Sequence, residues 1–206
     1  MTRAWCYKCQ RAGSTCLCEH VRRVSSKTRI CLLQHPKERR VAKNTAVLVK
    51  LCLERTVLIS QFKPDLALVK LLPTFGNVGV LMPTPDSTLL TPDLGLDTLI
   101  IPDGTWSQAR TILRDATLLN ELPRYHLPPG PPSNYRVRKP PSDRHVSTIE
   151  ATVRSLRTLE EGDYSELLDL FDVMVERWIE FLPEEQVKQI VLASKVRCAY
   201  IEKMNG

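Results

Sequence analysis

The sequence predicts an α/β fold with a small metal-organised unit at its N-terminus, and three observations carry that expectation. Short apolar runs bounded by proline, glycine or polar residues alternate with segments of helical periodicity. Four cysteines crowd between positions 6 and 18. The chain has 206 residues, of which 43% are hydrophobic and 25% charged, enough for one buried core and far from the composition of a disordered chain.

Residues 1–26 show no convincing helix or strand period and read as a knuckle followed by a basic linker, with 27–206 forming the α/β domain. Arg29–Gln34 is a short apolar strand that stops at His35-Pro36, because proline forces its predecessor into extended geometry. Asn44-Thr45 can cap a helix reaching Cys52 or Arg55. Val57–Ile59 and Leu66–Leu72 read as further strands, the second also compatible with a helical turn, and a brief strand is expected at Val78–Leu81 within a loop-rich stretch. Asp97–Ile101 is the clearest buried strand, ending sharply at Pro102-Asp103-Gly104. Trp106–Leu119 follows as a helix, with Ala109, Ile112, Leu113 and Ala116 at three- and four-residue spacing. The proline-rich stretch 122–141 reads as loop. Helices are expected at 148–160, 165–181 and 184–195, the first with Ser147 and Glu150 spaced as a capping box.

Lys plus Arg outnumber Asp plus Glu by 29 to 23, a formal charge of +6. The excess lies toward the N-terminus, where Glu19 and Glu38 are the only acids before position 46. A polyanion would be attracted to that end, and Arg11, Arg22, Arg23 and Lys27 are candidates for contacting an RNA backbone. A solvated, linker-like surface is the competing explanation. There is no apolar signal core and no run of 18 apolar residues, so a cytoplasmic protein without a membrane span is expected. No obligate protein partner is evident, and oligomeric state is not legible.

Cys6, Cys9, Cys16 and Cys18 give the pattern C-x2-C-x6-C-x-C. Four thiolates can enclose zinc tetrahedrally and leave no open position for a substrate, which favours a structural over a catalytic metal. Cys31, Cys52 and Cys198 read as isolated, inert thiols.

The remaining polar motifs are His35-Pro36-x-Glu38, Asn44-Thr45, Asp103-Gly104-Thr105-Trp106 with Gln108, and Arg136-x-Arg138-Lys139 followed by Ser147-Thr148-x-Glu150. In this order, and together with the cysteine knuckle, they resemble the DTW-domain family, whose Asp-x-Thr-Trp signature is matched by Asp103, Thr105 and Trp106. The resemblance runs from Cys6 to about Ala151. It implies a SPOUT-like sheet with a C-terminal knot, and transfer of the 3-amino-3-carboxypropyl group from S-adenosylmethionine to N3 of uridine in tRNA.

On that resemblance Asp103 is the candidate general base. Gly104, Thr105, Trp106, Arg136, Arg138, Ser147, Thr148 and Glu150 are candidates for holding S-adenosylmethionine, Lys139 for attracting phosphate, and His35, Glu38, Asn44 and Gln108 for lining a polar site. Each has a local alternative: Asp103, Thr105, Ser147 and Glu150 can cap helices, Trp106 can belong to the core, and His35 can simply end its strand. Two rival functions stand beside the transfer reaction, an RNA methyltransferase and a noncatalytic zinc-dependent RNA-binding module.

Overall fold

In a computed structural model, which describes residues 4–136, 145–188 and 190, six parallel strands form one sheet with helices on both faces. Strands β1 (Trp5–Cys6) and β2 (Arg11–Ala12) form a separate antiparallel hairpin in the knuckle. The sheet contains β3 (Arg29–Gln34), β4 (Thr56–Ile59), β5 (Val78–Leu81), β6 (Thr88–Leu89), β7 (Thr98–Asp103) and β8 (Arg124–His126), in the order β4-β3-β7-β5-β8-β6. Parallel strands need crossover connections, and here these cover both faces of the central strands, which accounts for their continuous apolar runs.

Alternate residues of the central strands enter two cores. Ile30, Leu32, Leu99 and Ile101 face α1 (Ala46–Cys52), α4 (Thr148–Glu160) and α5 (Ser165–Glu180). Cys31, Leu33 and Ile100 face α2 (Asp65–Leu71) and α3 (Trp106–Asp115). Leu17 of the knuckle is buried in the first core, so the N-terminal unit is docked on the sheet domain. Arg177 of α5 strengthens the contact by donating to the Cys16 carbonyl and to Glu19.

Several expectations need correction. Leu66–Leu72 is not a strand: α2 covers most of it, with Leu68 buried and Leu66 and Val69 exposed, a three-to-four-residue period that a single apolar run conceals. The stretch 122–141 contains β8, and the knuckle contains the short hairpin. The helix expected to Leu119 ends at Asp115 and gives way to a tighter turn at Thr117–Leu119. Helical residues recur from Glu184, but the rest of the helix expected over 184–195 lies outside the described residues, as does Cys198. Among the described residues no helix is long and apolar enough to cross a membrane.

The order of the strands locates a crevice. From β3 the chain crosses through α1 to β4 on one side, whereas from β7, its neighbour, it crosses through α3 toward β8 on the other. Such a reversal opens a gap beyond the carboxyl ends of the two strands, where ligands of open α/β sheets bind. Pro102, which cannot donate to a ladder, is tolerated in β7 because pairing with β5 stops at Ile100.

Docking of the knuckle predicts that Leu17→Ala destabilises the whole domain by about 2–5 kcal/mol, the range for an emptied leucine site. Urea unfolding of the zinc-loaded variant checks this; an unchanged midpoint would mean that the knuckle is energetically independent of the sheet.

Candidate functional site

Register places Gln34, the last residue of β3, opposite Asp103, the last of β7. The carboxylate of Asp103 is only 2% exposed and receives three side-chain donors. Gln34 Nε2 donates at 3.1 Å and Asn44 Nδ2 at 2.7 Å to Oδ2, and Thr148 Oγ1 donates at 2.6 Å to Oδ1. The donors come from β3, from the turn before α1 and from the first turn of α4. Asn44 Oδ1 in turn accepts from Gln34 Nε2 and from the Ala46 amide, so the asparagine ties the start of α1 to the carboxylate.

Burial pushes the Asp103 carboxyl above its ordinary range; the three donors and the nearby charge of Glu38 act on it in opposite senses, the donors lowering and Glu38 raising it. A carboxylate in this state is a better proton acceptor than one in water. Glu38, buried in the short turn after His35-Pro36, places a second acid at the site.

Gly104 follows with a φ of +156°, and a Cβ there would come within 2.9 Å of the Gln108 side chain. Thr105 and Gln108 form a capping box at the start of α3, Gln108 N donating to Thr105 Oγ1 and Thr105 N to Gln108 Oε1. The Asp-Gly-Thr-Trp signature is therefore a strand end, a turn without a side chain, a helix cap and an aromatic residue. Trp106 is half-buried against the second core and meets His145 edge-to-face, with ring centroids 4.6 Å apart. His35 shares the crevice: its backbone amide donates to the Asp103 carbonyl and its Nδ1 accepts from Lys37 N.

Ser147 and Glu150 form the expected capping box on α4. Glu150 also accepts from Ser133 Oγ and the Asn134 amide, both at 2.6 Å, and so braces the segment that carries Arg136. That segment is further held by Asn134 on Asp172 and by the Tyr135 hydroxyl on the Lys43 carbonyl. The Arg136 Nε is buried without a partner. Arg138 and Lys139 lie outside the described residues.

The four cysteines meet as their spacing suggests. All four sulfurs lie within 4.8 Å of one another, with Cys6–Cys18 at 3.6 Å and Cys9–Cys16 at 3.7 Å. Zn–S bonds of about 2.3 Å in a tetrahedron place sulfurs about 3.8 Å apart, so the set fits zinc. Hydrogen bonding from the Cys9 backbone holds the Cys6 thiol down at about 6, whereas burial pushes Cys18 up to about 12.

Arg11 departs from expectation. Its guanidinium is not available to phosphate: the residue is 3% exposed, and it donates to the carbonyls of Cys9 and Asn44 and approaches Met174 Sδ. It thereby links a cysteine of the metal cluster to the asparagine that holds Asp103. Arg22, Arg23 and Lys27 are exposed, Arg23 pairing loosely with Glu54. Gln34 was not anticipated from sequence and became visible only through strand register. Thr45, of the polar pair Asn44-Thr45, accepts from the Ile149 amide through its hydroxyl where α1 approaches α4.

Residues 3–179 match the DTW domain family. The tRNA-uridine aminocarboxypropyltransferase 2 of Mus musculus is 30% identical over 170 residues, covering 77% of this chain and 57% of the mouse protein. The protein of that name from Macaca fascicularis is 28% identical over 173 residues, with 77% and 57% covered. The one from Drosophila melanogaster is 30% identical over 177 residues, with 75% and 66% covered. The chain thus spans little more than half the length of the mammalian relatives it matches. No solved structure matches.

Two outcomes follow from the site's electrostatics. Purified protein should carry one zinc per chain by elemental analysis, and Cys9→Ser should lose it; full zinc content in that variant would remove Cys9 from the ligand set. Because the folded pKa of Asp103 is raised, its ionisation opposes folding, and that cost grows as pH rises from the ordinary carboxylate range through the raised value. Asp103→Asn keeps the shape, and its thermal midpoint should equal or exceed that of wild type at neutral pH, with any advantage shrinking as pH falls through the ordinary carboxylate range. A midpoint far below wild type at neutral pH would contradict this reading.

Proposed function

The chain belongs to the DTW-domain family, and from that premise we propose that it transfers the 3-amino-3-carboxypropyl group of S-adenosylmethionine to N3 of a uridine in tRNA, releasing 5′-methylthioadenosine. The observation that carries the proposal is the buried, triply hydrogen-bonded Asp103, first residue of the family's signature, at the switch point of the parallel sheet. The names of the related proteins support the same substrates.

In this reaction the bond from the methionine Cγ to sulfur breaks, its electron pair stays on sulfur as a neutral thioether, and the new bond joins Cγ to N3. The chain's own residues supply the rest. Asp103 accepts the N3 proton: a carboxylate carries about four lone-pair directions, and the donors described here occupy three. The acids Asp103 and Glu38 give the crevice a negative character suited to a sulfonium. Arg136, with its buried and unpartnered Nε, binds the cofactor's carboxylate through its donor fork. Gly104 leaves the approach to the strand end clear of a side chain, and Thr148 fixes Asp103 while opening α4. By their place in the sequence alone, Arg138 is assigned to the cofactor and Lys139 to RNA phosphate. We keep the SPOUT-like, knotted arrangement of the C-terminal region as part of the proposal; the wholly parallel sheet and the crevice at its strand ends are compatible with it. Zinc holds the knuckle and takes no part in the chemistry.

Incubation with unmodified tRNA and S-adenosylmethionine labelled in its methionine backbone, followed by nucleoside mass spectrometry, should yield a labelled uridine heavier by one aminocarboxypropyl group. Arg136→Ala should weaken cofactor binding at least tenfold. A uridine heavier by a methyl group alone would identify the methyltransferase rival, and RNA binding with neither product nor cofactor binding would identify the noncatalytic module.

A further inference from the structure

Beside the acid-lined crevice lies a second depression of opposite character. It has a volume of about 390 Å³ and is walled by one face of α3, by the residues after β5 and by the start of β8. Trp106, Arg110 and Arg114 recur every four residues along α3 and so share a face. Arg124 lies across from them, and Met82 and Leu113 supply apolar floor. Among the described residues, none that lines the depression carries a carboxylate. Arg114 and Arg124 have only exposed acids beside them, Asp115 at 2.9 Å and Asp86 at 3.7 Å, and among the described residues Arg110 has no ion pair or hydrogen bond.

We propose that this depression is an RNA subsite that holds one nucleotide flanking the target uridine, with its phosphate on Arg110 and Arg114 and its base against Trp106. The inference rests on the reading that RNA is the substrate. Three arguments favour RNA over the cofactor as occupant. The first is charge: a phosphate is drawn to an arginine-rich wall, whereas a sulfonium and an ammonium group are drawn to the buried acids on the other side of the signature turn. The second is chemistry, because guanidinium forks bind phosphate oxygens and an indole offers a stacking face that accepts any base. The third is size, since the volume lies toward the lower end of the range for small-ligand pockets and suits a single nucleotide rather than a duplex. Trp106 ties the subsite to the reaction centre through the chain, lining the depression three residues beyond Asp103.

The test uses the zinc-loaded full chain and fluorescently labelled unmodified tRNA, titrated at several salt concentrations, alongside calorimetric titration of S-adenosylmethionine. Arg110 and Arg114 are exposed on a helix, so their replacement by alanine leaves the core intact. The double variant Arg110→Ala/Arg114→Ala should lose at least tenfold in tRNA affinity and show a shallower dependence of affinity on salt, reduced by about one to two released counterions. Its cofactor affinity should be unchanged, and Arg110→Lys should fall between the two. Loss of cofactor affinity with tRNA affinity retained would give the depression to the cofactor and overturn the proposal. Unchanged affinity for both would also overturn it, while product formed by wild type in the same samples would leave the transfer reaction standing. A wild-type chain that neither binds tRNA nor forms product would sink the underlying reading along with the subsite.

Discussion

A single buried carboxylate organises the centre of this molecule. Asp103 ends the central strand β7, and its three donors reach it from β3, from the turn into α1 and from the first turn of α4. An unpaired ionised carboxylate removed from water carries a large solvation cost, so each donor is under strong constraint to stay in place. That constraint fixes the relative positions of the strand ends and two helix starts, while burial, acting against the donors, raises the pKa of the carboxyl.

The same network reaches the metal unit. Arg11 lies between the Cys9 carbonyl and the Asn44 carbonyl, and Asn44 donates to Asp103. The knuckle is therefore part of the domain's framework: it is packed through Leu17, clasped by Arg177 and joined to the site loop through a buried guanidinium. Burial lowers the pKa of Arg11, as it must for a charge withdrawn from solvent, and the nearby Cys9, Tyr135 and Cys16 act in the opposite sense.

Local chemistry explains what could be read from sequence. The strand ending at His35-Pro36, the buried run before Pro102 and the Ser147/Glu150 capping box are encoded in contiguous residues, and the structure reproduces them. The cysteine spacing likewise brought the four sulfurs together. What escaped notice depends on partners far along the chain. Gln34 joins the site only because β3 pairs in register with a strand 69 residues away, and Arg11 is buried only because Met174 and Asn44 close over it. The α2 segment misled because Leu66–Leu72 is almost wholly apolar, and a short run of that kind fits both periods. The arginines of α3 look like an ordinary solvated face until β5 and β8 are placed beside them.

The central proposal is that Asp103, its pKa raised by burial against the pull of three donors, accepts the proton in the reaction. The most direct measurement is the pH dependence of single-turnover transfer for wild type and for Thr148→Val, which removes one donor to the charged carboxylate. The rate should rise with pH through a limb above the ordinary carboxylate range. That limb should move to higher pH in the variant, because losing a donor disfavours the ionised form. A wild-type profile that is flat across this range, or a limb that Thr148→Val leaves in place, would contradict the assignment.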